Sequence, residues 1–242
     1  MGIIYRMLWN GAQALRMVGE GQRIIRDANA KKPSRTEIIN TLISERGYVS
    51  YLEIGVRNPD DNFNRIACAR KASVDPGLEF RANPVDFVMT SDAFFAHWAA
   101  EHPGSTFDVI FIDGLHRAEQ CWRDIENALG ILSPGGVVVV HDVLPPAHRF
   151  AREDFNRDLL ADTLWNGTTW KAFHRYQWEG QWEARIVDTD WGVGLIDSRQ
   201  PHLPETHGNP FYEWDAFERF VAQSGRVVSW DSARVWLGFR TN

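Results

Sequence analysis

Residues Phe107–Val143 read FDVIFIDGLHRAEQCWRDIENALGILSPGGVVVVHDV, and this stretch decides the fold. Phe107–Ile112 is a short apolar run that predicts a strand buried on both faces, stopping at Asp113-Gly114. From Arg117 to Gly130 the apolar positions Ala118, Cys121, Trp122, Ile125, Ala128 and Leu129 recur at the three-and-four spacing of one helical face. Ser133-Pro134-Gly135-Gly136 predicts a helix stop and a turn, and the β-branched run Val137–Val140 a second strand ending at His141 and Asp142. Two parallel strands joined by a helix make a right-handed crossover. In open α/β sheets ligands bind outside the carboxyl ends of the strands, so Asp113, His116, His141 and Asp142 are expected to converge on one crevice.

Composition narrows the class. The chain has 242 residues, enough for one α/β domain with additions, and a net charge of −6 with acids and bases interspersed. That pattern carries no electrostatic footprint for nucleic acid or an anionic membrane. No apolar run approaches the roughly 20 residues of a membrane span, and no cleavage site follows the amino-terminal apolar residues. Cys68 and Cys121 both fall in apolar helical patterns and read as small buried hydrophobes, which fits a reducing cytoplasm. The eleven tryptophans crowd after Trp165 and predict an aromatic core in the last third rather than an aromatic-lined pocket.

Outward from the central unit, residues 1–28 read as an amphipathic helix packed on the domain or on a second subunit, the latter implying a homodimer. Ser34-x-x-Glu37 has capping-box form and predicts a helix ending near Gly47. Tyr51–Val56 is the first core strand, followed by a helix over Asn62–Arg70 and a strand over Ala72–Asp75. Only Pro76–Pro84 precedes the next strand, Val85–Met89, too little chain for a full helical crossover. A helix over Ala93–Ala100, capped by Ser91 or Asp92, leads to the central unit. Beyond it the expected order is a helix over Arg149–Trp165, a connection over Asn166–Gln181, and two strands, Ala184–Val187 and Val193–Ile196, paired through Asp188–Gly192. A loop over Pro201–Pro210, a helix over Trp214–Ala222 and an apolar tail over Val227–Phe239 close the chain. The division expected is a helical extension over 1–47, a Rossmann-like domain over 48–200, and a helix and tail over 201–242 packed on that domain.

The ligand follows from what the first turn lacks. A dinucleotide needs G-x-G-x-x-G, but Gly55-Val56-Arg57-Asn58-Pro59-Asp60 has neither later glycine, and Pro59 has no amide hydrogen. Asp75, 20 residues beyond Gly55, is spaced to accept ribose hydroxyls. An acid-bearing, phosphate-poor site suits S-adenosylmethionine, with Glu53 on its ammonium, Asp75 on its ribose and Asp92 or its neighbour Ser91 on its adenine. Gly55, Arg57, Asn62 and Asp113 complete the expected cofactor contacts.

The segments YLEIGVRNPDDNF, SVDP, MTSDAFF, FDVIFIDGLHRAEQCWRDIENAL, LSPGGVVVVHDVLPP, WNGTTWKAF and DTDWGVGLID resemble the class I S-adenosylmethionine-dependent methyltransferases, in a bacterial branch similar to O-methyltransferases of sugars and natural products. The resemblance spans roughly Tyr48–Asp197. It implies an α/β, Rossmann-like doubly wound sheet of about seven strands in the order 3-2-1-4-5-7-6, with strand 7 antiparallel. It also implies that Glu53, Gly55, Asp75, Asp92 and Asp113 line the cofactor pocket. Arg57 departs from the pattern, standing where relatives often carry a second glycine.

Methyl transfer to oxygen needs an acceptor hydroxyl in near-attack position and a way to remove its proton. His116 or His141 is the expected base; Mg²⁺ on Asp113 and Asp142 is the alternative, less favoured because Val143 follows the second acid where metal-dependent relatives often carry an amide. A purely structural account makes His116 a helix cap and His141 and Asp142 a hydrogen-bonded strand end. His174, His202 and His207 read as solvated loop residues. The acceptor expected is a sugar or other small molecule. The rival functions are an inactive S-adenosylmethionine-binding protein and a nucleotide-sugar enzyme, the latter opposed by the missing phosphate-binding glycines.

Overall fold

The computed structural model describes residues 19–78, 84–154 and 165–240. Its centre is the unit read from the sequence: β4 (Phe107–Ile112), α4 (Ala118–Gly130) and β5 (Leu132–Val140), with β4 and β5 parallel and Ile112 beside Val140. Every residue from Val137 to Val140 is inaccessible to solvent, as a strand covered on both faces requires. Ser133–Gly136 does not leave the sheet to form the expected turn. It lies within β5, where a register shift between Phe107 and Val109 absorbs the extra residues in a bulge around Pro134 and Gly135.

The remaining strands are β1 (Ser50–Ile54), β2 (Arg70–Asp75), β3 (Phe87–Val88), β6 (Trp182–Val187), β7 (Val193–Pro201) and β8 (Val227–Val228). They form one sheet in the order 3-2-1-4-5-7-6-8. β7 runs antiparallel to both β5 and β6, as expected, and β8 adds an eighth strand parallel to β6 at the edge. The apolar tail therefore ends as a strand followed by a helix, α7 (Trp230–Trp236).

Strand alternation sends side chains to two cores. On one face Leu52, Ile54, Ile110, Ile112, Val138 and Val140 pack under α3 (Ser91–Glu101), α4 and α5 (Thr169–Glu179). On the other, Tyr51, Val109, Phe111, Val137 and Val139 meet Ile38, Ile39, Leu42 and Ile43 of α2 (Arg35–Arg46). Each such side chain contributes roughly 1.5–3 kcal/mol by leaving water. The Ser34–Glu37 capping box is formed at the start of α2, and Gly47 ends the helix in the left-handed conformation. From the last turn of α2, Arg46 reaches across to Asp197 in a two-pronged ion pair of 2.8 and 2.5 Å, both side chains almost wholly buried.

Several expectations are corrected. Asn62–Arg70 is no helix: it holds one 3-10 turn, Phe63–Arg65, just after another at Pro59–Asp61, and then loop up to β2, because the Asn62 amide turns inward onto Tyr51 and Glu53 and its backbone breaks the helix. Cys68 consequently lies in a loop, half-buried, whereas Cys121 is buried in α4 as expected; both are free thiols. Thr90, not Ser91 or Asp92, caps α3, whose first residue is Ser91. Asn166–Gln181 is not a connection but contains α5, whose Trp170, Ala172, Phe173, Tyr176 and Gln177 are buried. Within Arg149–Trp165 the described residues form a 3-10 turn, His148–Phe150, and loop; residues 155–164 lie outside the description.

The aromatic last third does pack as core, with Trp170 and Phe217 of α6 (Trp214–Gln223) at its centre. His174 is fully buried within it, and burial, then His207 and Arg226, push its pKa down to about 3. His202 pairs with the Gly180 carbonyl and His207 accepts from the Asn209 amide, so none of the three is a solvated surface residue. Residues 19–30 form the helix α1; the rest of the expected amino-terminal helix, residues 1–18, lies outside the described residues. Among those described, no helix is long and apolar enough to cross a membrane.

Candidate active site

β4 and β5 end side by side, and their last residues bring the four candidates together. His116 Nε2 lies 3.4 Å from Asp113 Oδ1 and 3.4 Å from Asp142 Oδ2. His141 Nδ1 lies 3.3 Å from Asp113 Oδ1 and 3.4 Å from Asp142 Oδ2. Asp142 holds a positive φ of 60°, which turns its carboxylate back over the strand ends.

The segment after residue 164 completes this arrangement. The Asn166 side-chain amide donates to Asp142 Oδ1 at 2.7 Å, and the Trp165 carbonyl lies 3.2 Å from His116 Nδ1. The Trp165 ring stacks on the His116 imidazole. Gly167, with φ of 67°, lets the chain approach so closely that a Cβ would overlap the His116 carbonyl. His116 is not the cap of α4: the Thr168 hydroxyl accepts from the Ala118 amide at 2.8 Å and does that work from a distant part of the chain.

Two further charges were not singled out by sequence reasoning. Asp190, in the turn between β6 and β7 with φ of 44°, places Oδ1 3.5 Å from His141 Nε2. Arg35, the first residue of α2, donates its backbone amide to Asp190 Oδ2 at 2.7 Å and sets its guanidinium 3.3 Å from Oδ1. The cluster therefore balances three carboxylates against two imidazoles and a guanidinium. Asp190 lies in the turn that pairs β6 with β7 and Arg35 between the capping residues Ser34 and Glu37; no local spacing ties either to residues 113–142.

The charges fix each other's protonation. Burial works against the Asp113 carboxylate, but His141, His116 and Arg35 outweigh it and hold its pKa well below the usual range. Asp190 is likewise held low, burial being overcome by His141 and Arg35. Burial also opposes charge on the imidazoles. Asp142 and Asp113 reverse this and raise His116 to about 9 and His141 well above its ordinary value. His141 is only 6% exposed, with carboxylates beside both ring nitrogens, whereas the His116 side chain retains 21% exposure.

One atom each from Asp113, His141 and Asp142 lie within 4.8 Å of one another, a spacing that could hold a metal. Asp113 and Asp142 offer the oxygen ligands that Mg²⁺ takes, and the His141 imidazole is the donor of the three that suits this ion least.

The cofactor candidates occupy the neighbouring strand ends. Glu53 is 3% exposed; Tyr51 and Asn62 both donate to its Oε2, and no cation pairs with it among the described residues. Burial pushes its pKa up to about 7. A buried carboxylate waiting for a counterion fits the ammonium end of S-adenosylmethionine. Gly55 has φ of 91°, and a Cβ there would overlap the Asp113 carbonyl, so the close approach it permits is first of all that of the β4 loop. Asp75 ends β2 and accepts from the Gly77 amide through Oδ1. Ser91 and Asp92 accept from Gln120, and Asp92 also faces Arg123, tying α3 to α4. Arg57 is exposed and pairs with Asp61 at 3.7 Å, away from the Asp113–His116 cluster in all its described contacts. Asn62 links Glu53 to Thr36, whose hydroxyl donates to Asn62 Oδ1.

Comparison with solved structures finds an O-methyltransferase from Bacillus cereus in complex with SAH, 17% identical, covering 75% of this chain and 89% of that one at a TM-score of 0.44. A second, the O-methyltransferase TomG from Streptomyces achromogenes in complex with SAM, is 16% identical over 74% of this chain and 86% of that one, at 0.45. A search of curated proteins finds no match. A family profile described as methyltransferase domain matches residues 12–143, more than half of the chain and the whole run from α2 through Asp142. With the strand order observed, the chain belongs to the methyltransferase-domain family and is an enzyme of the class I methyltransferase architecture.

Proposed function

We propose that the chain transfers a methyl group from S-adenosylmethionine to a hydroxyl of a small-molecule acceptor, a sugar among the candidates, with His116 as the base. The observation that carries this reading is the convergence of Asp113, His116, His141 and Asp142 where β4 and β5 end, next to the unpaired Glu53. The bound cofactor supplies an electrophilic methyl on a sulfonium. Glu53 holds its ammonium, Asp75 its ribose, and Ser91 and Asp92 its adenine side.

His141, 6% exposed and within 3.5 Å of Asp113, Asp142 and Asp190, is the imidazole an acceptor reaches less easily and serves to hold these carboxylates together. His116 is the more accessible imidazole, oriented by the Trp165 carbonyl at Nδ1, and takes the acceptor proton at Nε2 once it is itself deprotonated. Asp113 and Asp142 then stabilise the imidazolium that forms, as they do in the resting site.

Calorimetric titration with S-adenosylmethionine and, separately, with NAD tests the reading, before and after Asp75→Ala. Micromolar affinity for the former alone, weakened in the variant, is expected. Binding of neither would overturn it.

A further inference from the structure

We infer that the carboxyl-terminal part of the chain carries a second binding site, for a small aromatic carboxylate, in a cavity between the end of α5, the loop before α6 and the end of α6. The cavity measures about 420 Å³, within the range that binds small ligands. Its lining joins two aromatic rings, Trp178 and Phe220, to two guanidiniums, Arg219 and Arg226, and among the described residues no carboxylate lines it. The lining shares no residue with the strand-end cluster or with Glu53, and all of it lies beyond residues 12–143, which the methyltransferase profile matches. The acid held there is therefore not the methyl acceptor, and the site does not depend on the methyl-transfer reading.

The two arginines differ in what they have left to give. Arg226 is committed: its guanidinium donates to the Gln177 carbonyl and, at 2.9 Å, to Glu205, and lies 5.4 Å from the Trp178 ring centroid. Arg219 is exposed and has no hydrogen bond or ion pair among the described residues. One free guanidinium fork matches one carboxylate, which takes two parallel N–H bonds in its plane, whereas a phosphate dianion would stay under-neutralised. Ser224 Oγ already accepts from the Arg226 amide at 3.1 Å, so its proton is left to donate to the same anion. The carbonyl end of α6 works against an anion here, but the full charge on Arg219 outweighs that partial one. The apolar part of the ligand has its own surface in Trp178 and Phe220, whose centroids lie 5.6 Å apart. His207 stacks on Trp178, and the Glu205 amide donates to the Trp178 carbonyl at 2.7 Å, so the ring is held in place. Gly208 brings the loop against the same ring, where a Cβ would come within 2.8 Å of Cζ2. A fixed aromatic surface beside a single free cation selects an aromatic acid over a bare anion or a neutral ring.

Calorimetric titration of the full chain tests this, with naphthoate as the aromatic acid, naphthamide as its uncharged counterpart and inorganic phosphate as the bare anion. Saturable binding of naphthoate is expected, weaker by about tenfold or more for naphthamide and for naphthoate on the Arg219→Gln variant. That variant removes only the charge of an exposed, unpaired side chain, so its urea midpoint should match the wild type. No binding of naphthoate, equal binding of naphthamide, phosphate bound in preference to both, or naphthoate affinity unmoved by Arg219→Gln would each overturn the assignment. Naphthoate binding abolished by saturating S-adenosylhomocysteine would place the acid at the strand ends and overturn it as well.

Discussion

Replacing Glu53 with Gln isolates a buried carboxylate that no cation pairs with among the described residues. Glutamine keeps an acceptor for the Tyr51 hydroxyl and the Asn62 amide, so the packing is preserved and only the charge is removed. In the folded chain burial raises Glu53 from the ordinary 4.5 to about 7, so the native state holds a proton that the unfolded chain has released. Stability must therefore fall as pH rises from about 4.5 and level off above about 7. At about 1.36 kcal/mol for each tenfold change in proton affinity, the shift sets a ceiling of roughly 3 kcal/mol on the loss. Urea unfolding of both proteins at about pH 5 and about pH 8.5 measures it, since other titrating groups cancel in the difference. The Gln variant should gain on the wild type by about 2–3 kcal/mol across that interval. A difference between the two proteins that does not change with pH would refute the argument. The same logic makes S-adenosylmethionine bind more tightly as pH rises through 7 in the wild type, because an ammonium beside Glu53 draws off the proton.

Arg46→Met alone leaves Asp197 charged and buried and should cost roughly 3–5 kcal/mol, most of which Arg46→Met/Asp197→Leu should restore, as read by urea unfolding. His116→Asn should lower methyl transfer by about 10²–10⁴-fold while calorimetry shows the cofactor affinity unchanged. In the wild type the rate should climb as pH approaches the His116 value of about 9, because Asp113 from β4 and Asp142 from β5 keep that imidazole protonated below it; a flat profile would argue against His116. Thr168→Val removes the hydroxyl that caps α4 and should destabilise the chain by about 1 kcal/mol in the same unfolding assay. Exhaustive chelation should leave transfer intact, and its loss on chelation would reassign Asp113, His141 and Asp142 to a metal.

Much of the fold was legible because its signals are local. Phe107–Ile112 and Val137–Val140 are apolar without interruption because both faces of the sheet are covered, and α4 shows its buried stripe at helical spacing. The Ser34–Glu37 capping box is a contact between residues three apart, visible in any reading of the chain. Where local pattern misled, a longer-range contact had taken over. Asn62–Arg70 is apolar enough for a helix, but Asn62 is drawn inward by Glu53 and Tyr51 of β1. Asn166–Gln181 reads as a connection because its tryptophans and glycines suit a loop, whereas Trp170 and Phe173 are anchored in separate cores built with α6 and the sheet.

The sequence by itself determined the parallel strand–helix–strand centre, the absence of a phosphate cradle and the meeting of Asp113, His116, His141 and Asp142, since strand ends in a parallel sheet must lie side by side. Only the tertiary structure decided which histidine remains available and what stands around it. Arg35 and Asp190 are separated by 155 residues and meet over His141, and Asn166 reaches Asp142 across 24 residues. Such contacts depend on how β7 inserts between β5 and β6 and where α2 docks, and those are properties of the assembled sheet that no spacing along the chain encodes.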